Sequence, residues 1–300
     1  GKGSRSFRDK YKGFWVAWVE KLLALPRDNT TKRILGYEIV RTMIDQLVAL
    51  SSMAVVNIRD SVTEASLSIA KSLLQSCSYR KNELVTVNRQ ILAEEGGVQG
   101  RSKSTAVQNP KYQACLKQRD TVHKELDILM ELCNTIFNSI LLHRIKDFHE
   151  EVRTIAVQYI LHYIRFDLKR TIHVEYLKYL GWACSDYASS VRLEAIRGIH
   201  ALAEDGEVVP YLCSFVEVFV DRFIEVASRD VDDQVALQMV RTLRVMQSAG
   251  LLDTISEEKL DVVDAVVFDS DAPLRVRQEA LGFLMDHTEG FDEDPDLDDA

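Results

Sequence analysis

The chain has 300 residues, of which 46% are hydrophobic and 28% charged, with a formal net charge of −9. That composition supports a sizeable core and excludes a chain too polar to fold. No run of 18 or more apolar residues and no signal-peptide pattern is read, so no membrane span is expected.

The net charge hides a split. Residues 1–126 carry 21 Lys and Arg against 12 Asp and Glu, whereas the remainder carries 16 against 34. An acidic total therefore does not exclude a nucleic-acid partner for the basic end. The five cysteines (Cys77, Cys115, Cys133, Cys184, Cys213) are odd in number and form no Cys-x-x-Cys pair, so a reducing compartment is expected and zinc is not.

Residues 1–30 contain a basic amphipathic segment in which Phe14, Trp15, Trp18, Leu22 and Leu23 fall at helical spacing, with Pro26 ending it. Residues 33–49 and 54–75 read as two further helices, and residues 1–80 are taken as an N-terminal helical region. Residues 81–142 read as a long helical hairpin projecting from the rest, with a Gly- and Ser-rich loop near 96–110. Arg80, Lys81, Arg89, Arg101, Lys103, Lys111, Lys117 and Arg119 concentrate along it.

From 143 to 288 one pattern recurs four times. Val152, Val191, Val235 and Val276 each follow an aspartate by five positions (Asp147, Asp186, Asp230, Asp271), and Arg153, Arg192 and Arg277 follow three of them directly. Apolar residues recur at offsets 4, 5 and 8: Ala156, Val157 and Ile160; Ala195, Ile196 and Ile199; Met239, Val240 and Leu243; Ala280, Leu281 and Leu284. Those offsets share one helix face. The spacings of 39, 44 and 41 residues fit HEAT or armadillo helical repeats. In the third copy Ala236 replaces the arginine. The arginine is expected to reach an aspartate of an adjacent repeat as a surface pair worth about 0.5–1 kcal/mol. The fold class is therefore all-α, a HEAT-repeat-like α-solenoid. Thr254 to Glu257 reads as a capping box. From Asp286 the chain turns acidic, and residues 289–300 read as a disordered tail.

No phosphate loop, His-Glu-x-x-His or Gly-x-Ser-x-Gly occurs, and His143, His149, His162 and His173 lack ligand spacing. Neither an active site, a metal nor a cofactor is expected. An exposed Trp182 beside a Phe on a neighbouring repeat would instead make an aromatic anchor site; the plainer reading has Trp182 filling space between repeats.

The ordered run Ile136 to Asp147 (with His143, Arg144, Lys146), then Glu151-Val152-Arg153, Tyr176-Leu-Lys-Tyr-Leu-Gly-Trp182, Asp186 and Val191-Arg-Leu193 resembles the stromalin (STAG, stromal antigen) subunit of cohesin. Phe7-Arg8, Leu50-Ser51 and Ile58 to Ser61 extend the resemblance more weakly. Members of that family are much longer, which implies an N-terminal fragment. The resemblance implies a nuclear, chromosome-associated scaffold rather than an enzyme, acting in sister-chromatid cohesion and chromosome organisation. It implies three partners: the kleisin subunit, double-stranded DNA, and regulators carrying Phe/Tyr-x-Phe segments, such as CTCF and shugoshin. Trp182 and Lys178 match the family's docking motif, and Phe219 its pocket phenylalanine. Lys146 stands where the family has Arg, Ile145 where it has Tyr, and Val218 where Arg is common. Backbone contact with DNA is expected at Lys10, Lys12, Arg80, Lys81, Arg101 and Lys103. The competing expectation is a generic HEAT-repeat adaptor, such as a nuclear transport receptor or phosphatase scaffold.

Overall fold

The computed structural model describes residues 2–23, 30–96, 110–166 and 174–288, and among these every regular element is helical. The all-α expectation holds. Residues 97–109 of the expected loop, including Arg101 and Lys103, and the tail 289–300 lie outside the described residues. The chain divides into two compact units, Gly1–Arg144 and Ile145–Ala300.

The first unit contains α1 (Lys2–Leu23), α2 (Thr30–Ser51), α3 (Val56–Gly96) and α4 (Pro110–Ile136), which continues into a π-helical turn at Phe137–Leu141. α1, α2 and α4 all pack on α3, and α3 with α4 forms a long hairpin. The expected region boundary between residues 80 and 81 is absent, because α3 runs through it. Two features explain the continuity. No Pro or Gly interrupts the chain between Val56 and Glu95. Residues 62–70 are buried on all faces, as in a helix at the centre of a bundle. Three of its buried hydroxyls are satisfied within the helix: Thr63, Ser66 and Ser68 donate to the carbonyls of Arg59, Val62 and Glu64, each at 2.7 Å.

The second unit contains α5 (Glu150–Phe166), α6 (Val174–Ala183), α7 (Ser189–Ala203), α8 (Cys213–Arg229), α9 (Asp233–Ser248), α10 (Glu257–Asp264) and α11 (Leu274–Thr288). α5, α7, α9 and α11 pack in sequence as one layer, and α6, α8 and α10 form the other. The four recurring valines open the first layer, and all are buried. Offset 4 is buried in every copy, whereas in the fourth copy Leu281 at offset 5 is exposed. No described helix follows α11 in that row. The expected capping box is replaced by Ser256 as N-cap of α10, without a side-chain hydrogen bond. Asp286 belongs to α11 and not to a tail.

Arg153 and Arg192 are buried, not on the surface as expected, whereas Arg277 is half-buried. Arg153 Nε and Nη2 donate to the two carboxylate oxygens of Asp186 at 2.7 and 2.8 Å, and its Nη1 donates to the carbonyls of Asp147 and Phe148. Arg192 repeats the arrangement on Asp230 at 2.8 and 2.6 Å, with Nη1 on the carbonyls of Asp186 and Tyr187. The side chains of Arg192 and Asp230 are 6% and 4% exposed. Each acceptor aspartate also forms its own turn, since Asp186 accepts the Ala188 amide and Asp230 the Asp232 amide.

The ladder has no third rung of this kind. Ala236 removes the donor. Pro273 occupies the position whose N–H the turn aspartate would accept, and proline has none. The fourth turn is therefore made by Asp269, which accepts the Asp271 amide at 2.9 Å, and not by Asp271 as the spacing suggested. More exposed pairs join α9 to α11 instead: Arg241 with Glu279 at 3.0 Å, and Arg244 with Glu279 and Asp286 at 2.8 and 2.9 Å.

Arg192→Met should cost about 3–5 kcal/mol in urea unfolding, because it strands a buried carboxylate. Arg192→Met/Asp230→Asn should recover part of that, while Arg241→Gln should cost under about 1 kcal/mol. Equal losses for Arg192→Met and Arg241→Gln would contradict a buried rung.

Candidate functional site

The first rung carries a cleft above it. Lys146, Asp147 and Phe148 form the turn into α5, α6 ends at Ala183, and Asp186 and Tyr187 form the turn into α7. Between these segments lies a cleft of about 280 Å³, walled by Ile145, Lys146, Tyr179, Trp182 and Tyr187. Its base is the Arg153–Asp186 pair. Arg153 has little left to offer a ligand. Its guanidinium is spent on Asp186, on two carbonyls and on the Tyr187 hydroxyl at 2.9 Å. Hydrogen bonding to Asp186 is the main reason that Arg153 is held above its ordinary pKa, against the opposing effect of burial.

The cleft wall is aromatic. Trp182 sits in the last turn of α6 and is 50% exposed. It does not simply fill space between repeats. Tyr179, three residues earlier on the same helix face, meets its ring edge-on at 5.4 Å between centroids. Two ammonium groups approach the same indole, Lys146 Nζ at 5.8 Å and Lys178 Nζ at 5.7 Å from the ring centroid. On the next turn Tyr187 takes the Arg153 guanidinium against its ring at 4.3 Å and donates its hydroxyl to the Phe148 carbonyl at 3.0 Å.

Of the expected peptide-docking residues, the structure brings Ile145, Lys146, Lys178 and Trp182 together. Phe219 is placed differently. Its ring stacks in a row with Phe215 and Phe223 on α8 and lies against Gly181, where an added Cβ would meet it at 2.4 Å. It backs the helix segment that carries Trp182 and does not line the cleft. Sequence reasoning does not single out Tyr179 or Tyr187. The spacing of Tyr179 from Trp182 is the available signal for the first; nothing short of the turn geometry marks the second. Cys184, just past Trp182, is enclosed, and burial pushes its thiol up to about 12, so it is chemically quiet.

The expected DNA contacts fare unevenly. Lys10 is exposed on α1. Lys12 is about half exposed and lies 3.7 Å from the buried Glu64 carboxylate. Arg80 faces into the hairpin, 11% exposed, paired with Glu83 at 2.9 Å and Glu125 at 3.1 Å. Lys81 is half-buried and has a partner of its own.

Comparison with known proteins converges on one group. Residues 146–220 match the stromalin conservative domain. The chain is 25% identical to the cohesin subunit psc3 of Schizosaccharomyces pombe, over 93% of the chain and 27% of that protein. It is 24% identical to the cohesin subunit SA-1 of Xenopus laevis, over 89% of the chain and 20% of that protein. The chain thus spans about a fifth to just over a quarter of the length of these relatives. The solved structure of the cohesin subunit Scc3 from Z. rouxii superposes with a TM-score of 0.74 at 19% identity, over 85% of this chain and 28% of that one. The match to the stromalin domain contains the whole Trp182 cleft except Ile145.

Gly181→Ala should separate α6 from α8 or expel Phe219, costing about 1–3 kcal/mol. The measurement is urea unfolding of Gly181→Ala beside Gly206→Ala, whose added Cβ meets nothing within 4 Å. Equal stability of the two variants would contradict the packing described.

Proposed function

We propose that the chain, which resembles the stromalin subunits of cohesin over residues 146–220, is a non-catalytic scaffold of sister-chromatid cohesion, working on chromosomes in the nucleus. In this reading it holds three partners: the kleisin subunit, DNA, and short regulator peptides. The observation that carries the reading is Trp182, a half-exposed indole in an aromatic cleft with two ammonium groups over its ring. Such a cleft suits a peptide that brings an aromatic side chain and a nearby carboxylate. The ring accepts the aromatic, and Lys146 and Lys178 accept the acid. A Phe/Tyr-x-Phe segment with acidic neighbours has that chemistry.

The DNA reading rests on α1. Lys10, Lys12 and Lys21 are exposed on this helix, and none offers a planar fork for base edges, so the contacts supported are with phosphates. Arg80 is withdrawn from the set by its two carboxylate partners.

Trp182→Ala should weaken binding of an acidic Phe-x-Phe peptide at least tenfold, with and without kleisin, and leave the unfolding midpoint within a few degrees of the parent. A folded variant with unchanged affinity would reject this cleft as the docking site. Lys10→Gln/Lys21→Gln should lower duplex-DNA affinity and reduce the slope of log K against log salt by about 0.9 for each phosphate no longer neutralised. An unaltered slope would remove α1 from the DNA surface.

A further inference from the structure

Tyr187 also walls a second, larger cleft on its other side. That cleft, of about 560 Å³, is lined by Tyr187, Ser189, Arg192, Val231, Asp232 and Asp233, together with Gln234. Tyr187 and Val231 are each the residue after a turn aspartate, and they stand 76% and 94% exposed. The cause is local. Asp186 and Asp230 fold inward to accept an amide two residues on and a guanidinium from the preceding repeat, so the next side chain is turned out. Two apolar tips on consecutive turns, with a cleft between them, are not required by the fold.

The cleft's charges can be accounted for. Arg192 is neutralised by Asp230 and capped by two carbonyls. Asp232 accepts the amides of Gln234 and Val235 at 2.9 and 3.4 Å. Its carboxyl is held below the ordinary value, chiefly by a hydrogen bond from Ser189 that outweighs its partial burial, so it is ionised at neutral pH. Asp233 is exposed in the first turn of α9. Two carboxylates therefore face the cleft, and no uncommitted cation lines it. The wider setting has the same sign, since residues 145–300 carry 15 Lys and Arg against 32 Asp and Glu.

We propose that the cleft between Tyr187 and Val231 docks an extended polypeptide segment through an arginine side chain, its stem between the two apolar tips and its guanidinium on Asp232 and Asp233. Arginine fits better than lysine for two reasons. Its planar fork matches carboxylate geometry, and it stacks on aromatic rings while keeping its hydrogen bonds. The fold already uses this pairing once, with Arg153 against the Tyr187 ring at 4.3 Å. The carboxylates oppose phosphate, which disfavours nucleic acid as the occupant. This surface differs in sign from the Trp182 cleft, so the two sites take opposite peptides and can be tested apart.

The test uses the full chain and a fluorescein-labelled octapeptide carrying two arginines among glycine and serine. Its control is the same peptide with citrulline for arginine. Anisotropy titration should show binding of the arginine peptide and at least tenfold weaker binding of the citrulline one. Asp232→Asn/Asp233→Asn, in which asparagine keeps the N-cap acceptor, should lose at least tenfold, and Asp233→Asn alone should lose part of that. Glu257→Gln/Glu258→Gln, on exposed carboxylates of α10, should leave the affinity unchanged. Equal binding of the citrulline peptide, an equal loss in the α10 variant, or no binding to the parent chain would overturn the proposal.

Discussion

The second unit is organised by a guanidinium held between two turns. Arg153 and Arg192 each bind the carbonyls of their own turn and the carboxylate of the next. The receiving aspartate has already closed its own turn on an amide two residues ahead. Turn formation within a repeat and spacing between repeats are thus set by the same carboxylate. A buried ion pair is a weak source of net stability, because desolvation offsets most of the Coulomb gain. What it supplies here is register. A helix pair slid by one turn along its neighbour would strand an arginine and an aspartate out of water, which is far costlier than an imperfect apolar contact. The apolar offsets bring the layers together and the rungs select one alignment.

How much of this was legible in the sequence follows from what each residue's role depends on. The four copies were readable because offsets 0 and 4, buried in every copy, share one helix face by period alone. The Arg–Asp pairing was readable as reach, but not as burial. Whether a charged tip ends in solvent depends on how closely the next turn sits, and no periodicity encodes that. The fourth aspartate was misplaced for a chemical reason visible only once the hydrogen bond was known. Pro273 has no amide to give Asp271, so Asp269 closes the turn. Arg80 shows the same limit from the other side. A run of basic residues gives net charge, not facing, and Glu83 and Glu125 turned this one inward. The continuity of α3 was hidden because Cys77 to Lys81 reads as polar, although nothing in it breaks a helix.

The candidate site is a by-product of the same rung. Arg153 uses one of its donors on the Tyr187 hydroxyl, and that hydroxyl in turn donates to the Phe148 carbonyl. A side chain on the tip of a turn would ordinarily be free to rotate. Tyr187 is instead fixed at both its ring and its hydroxyl, and becomes a rigid partition. Trp182 faces it across the cleft from the end of α6, braced by Tyr179 and, behind the helix, by Phe219 against Gly181. Trp182 lies within the span that matches the stromalin conservative domain, but the ring's usefulness as an anchor rests on residues that hold the opposite wall. Pre-organised aromatic walls lose little freedom when a ligand arrives.

The partition also separates two electrostatic environments. On one side Lys146 and Lys178 stand over an indole, and the floor is neutralised by the Arg153–Asp186 pair. On the other, Asp232 and Asp233 flank a floor neutralised by Arg192–Asp230. Both floors are silent for the same reason: each rung consumes its own charges. The character of each cleft is therefore set by residues outside the ladder, which can change without disturbing the stack. A substitution such as Ile145 for an aromatic alters what a cleft accepts, whereas a substitution in a rung alters whether the repeats align at all. Recognition and architecture are thereby assigned to different side chains a few ångströms apart, with Tyr187 the residue that belongs to both.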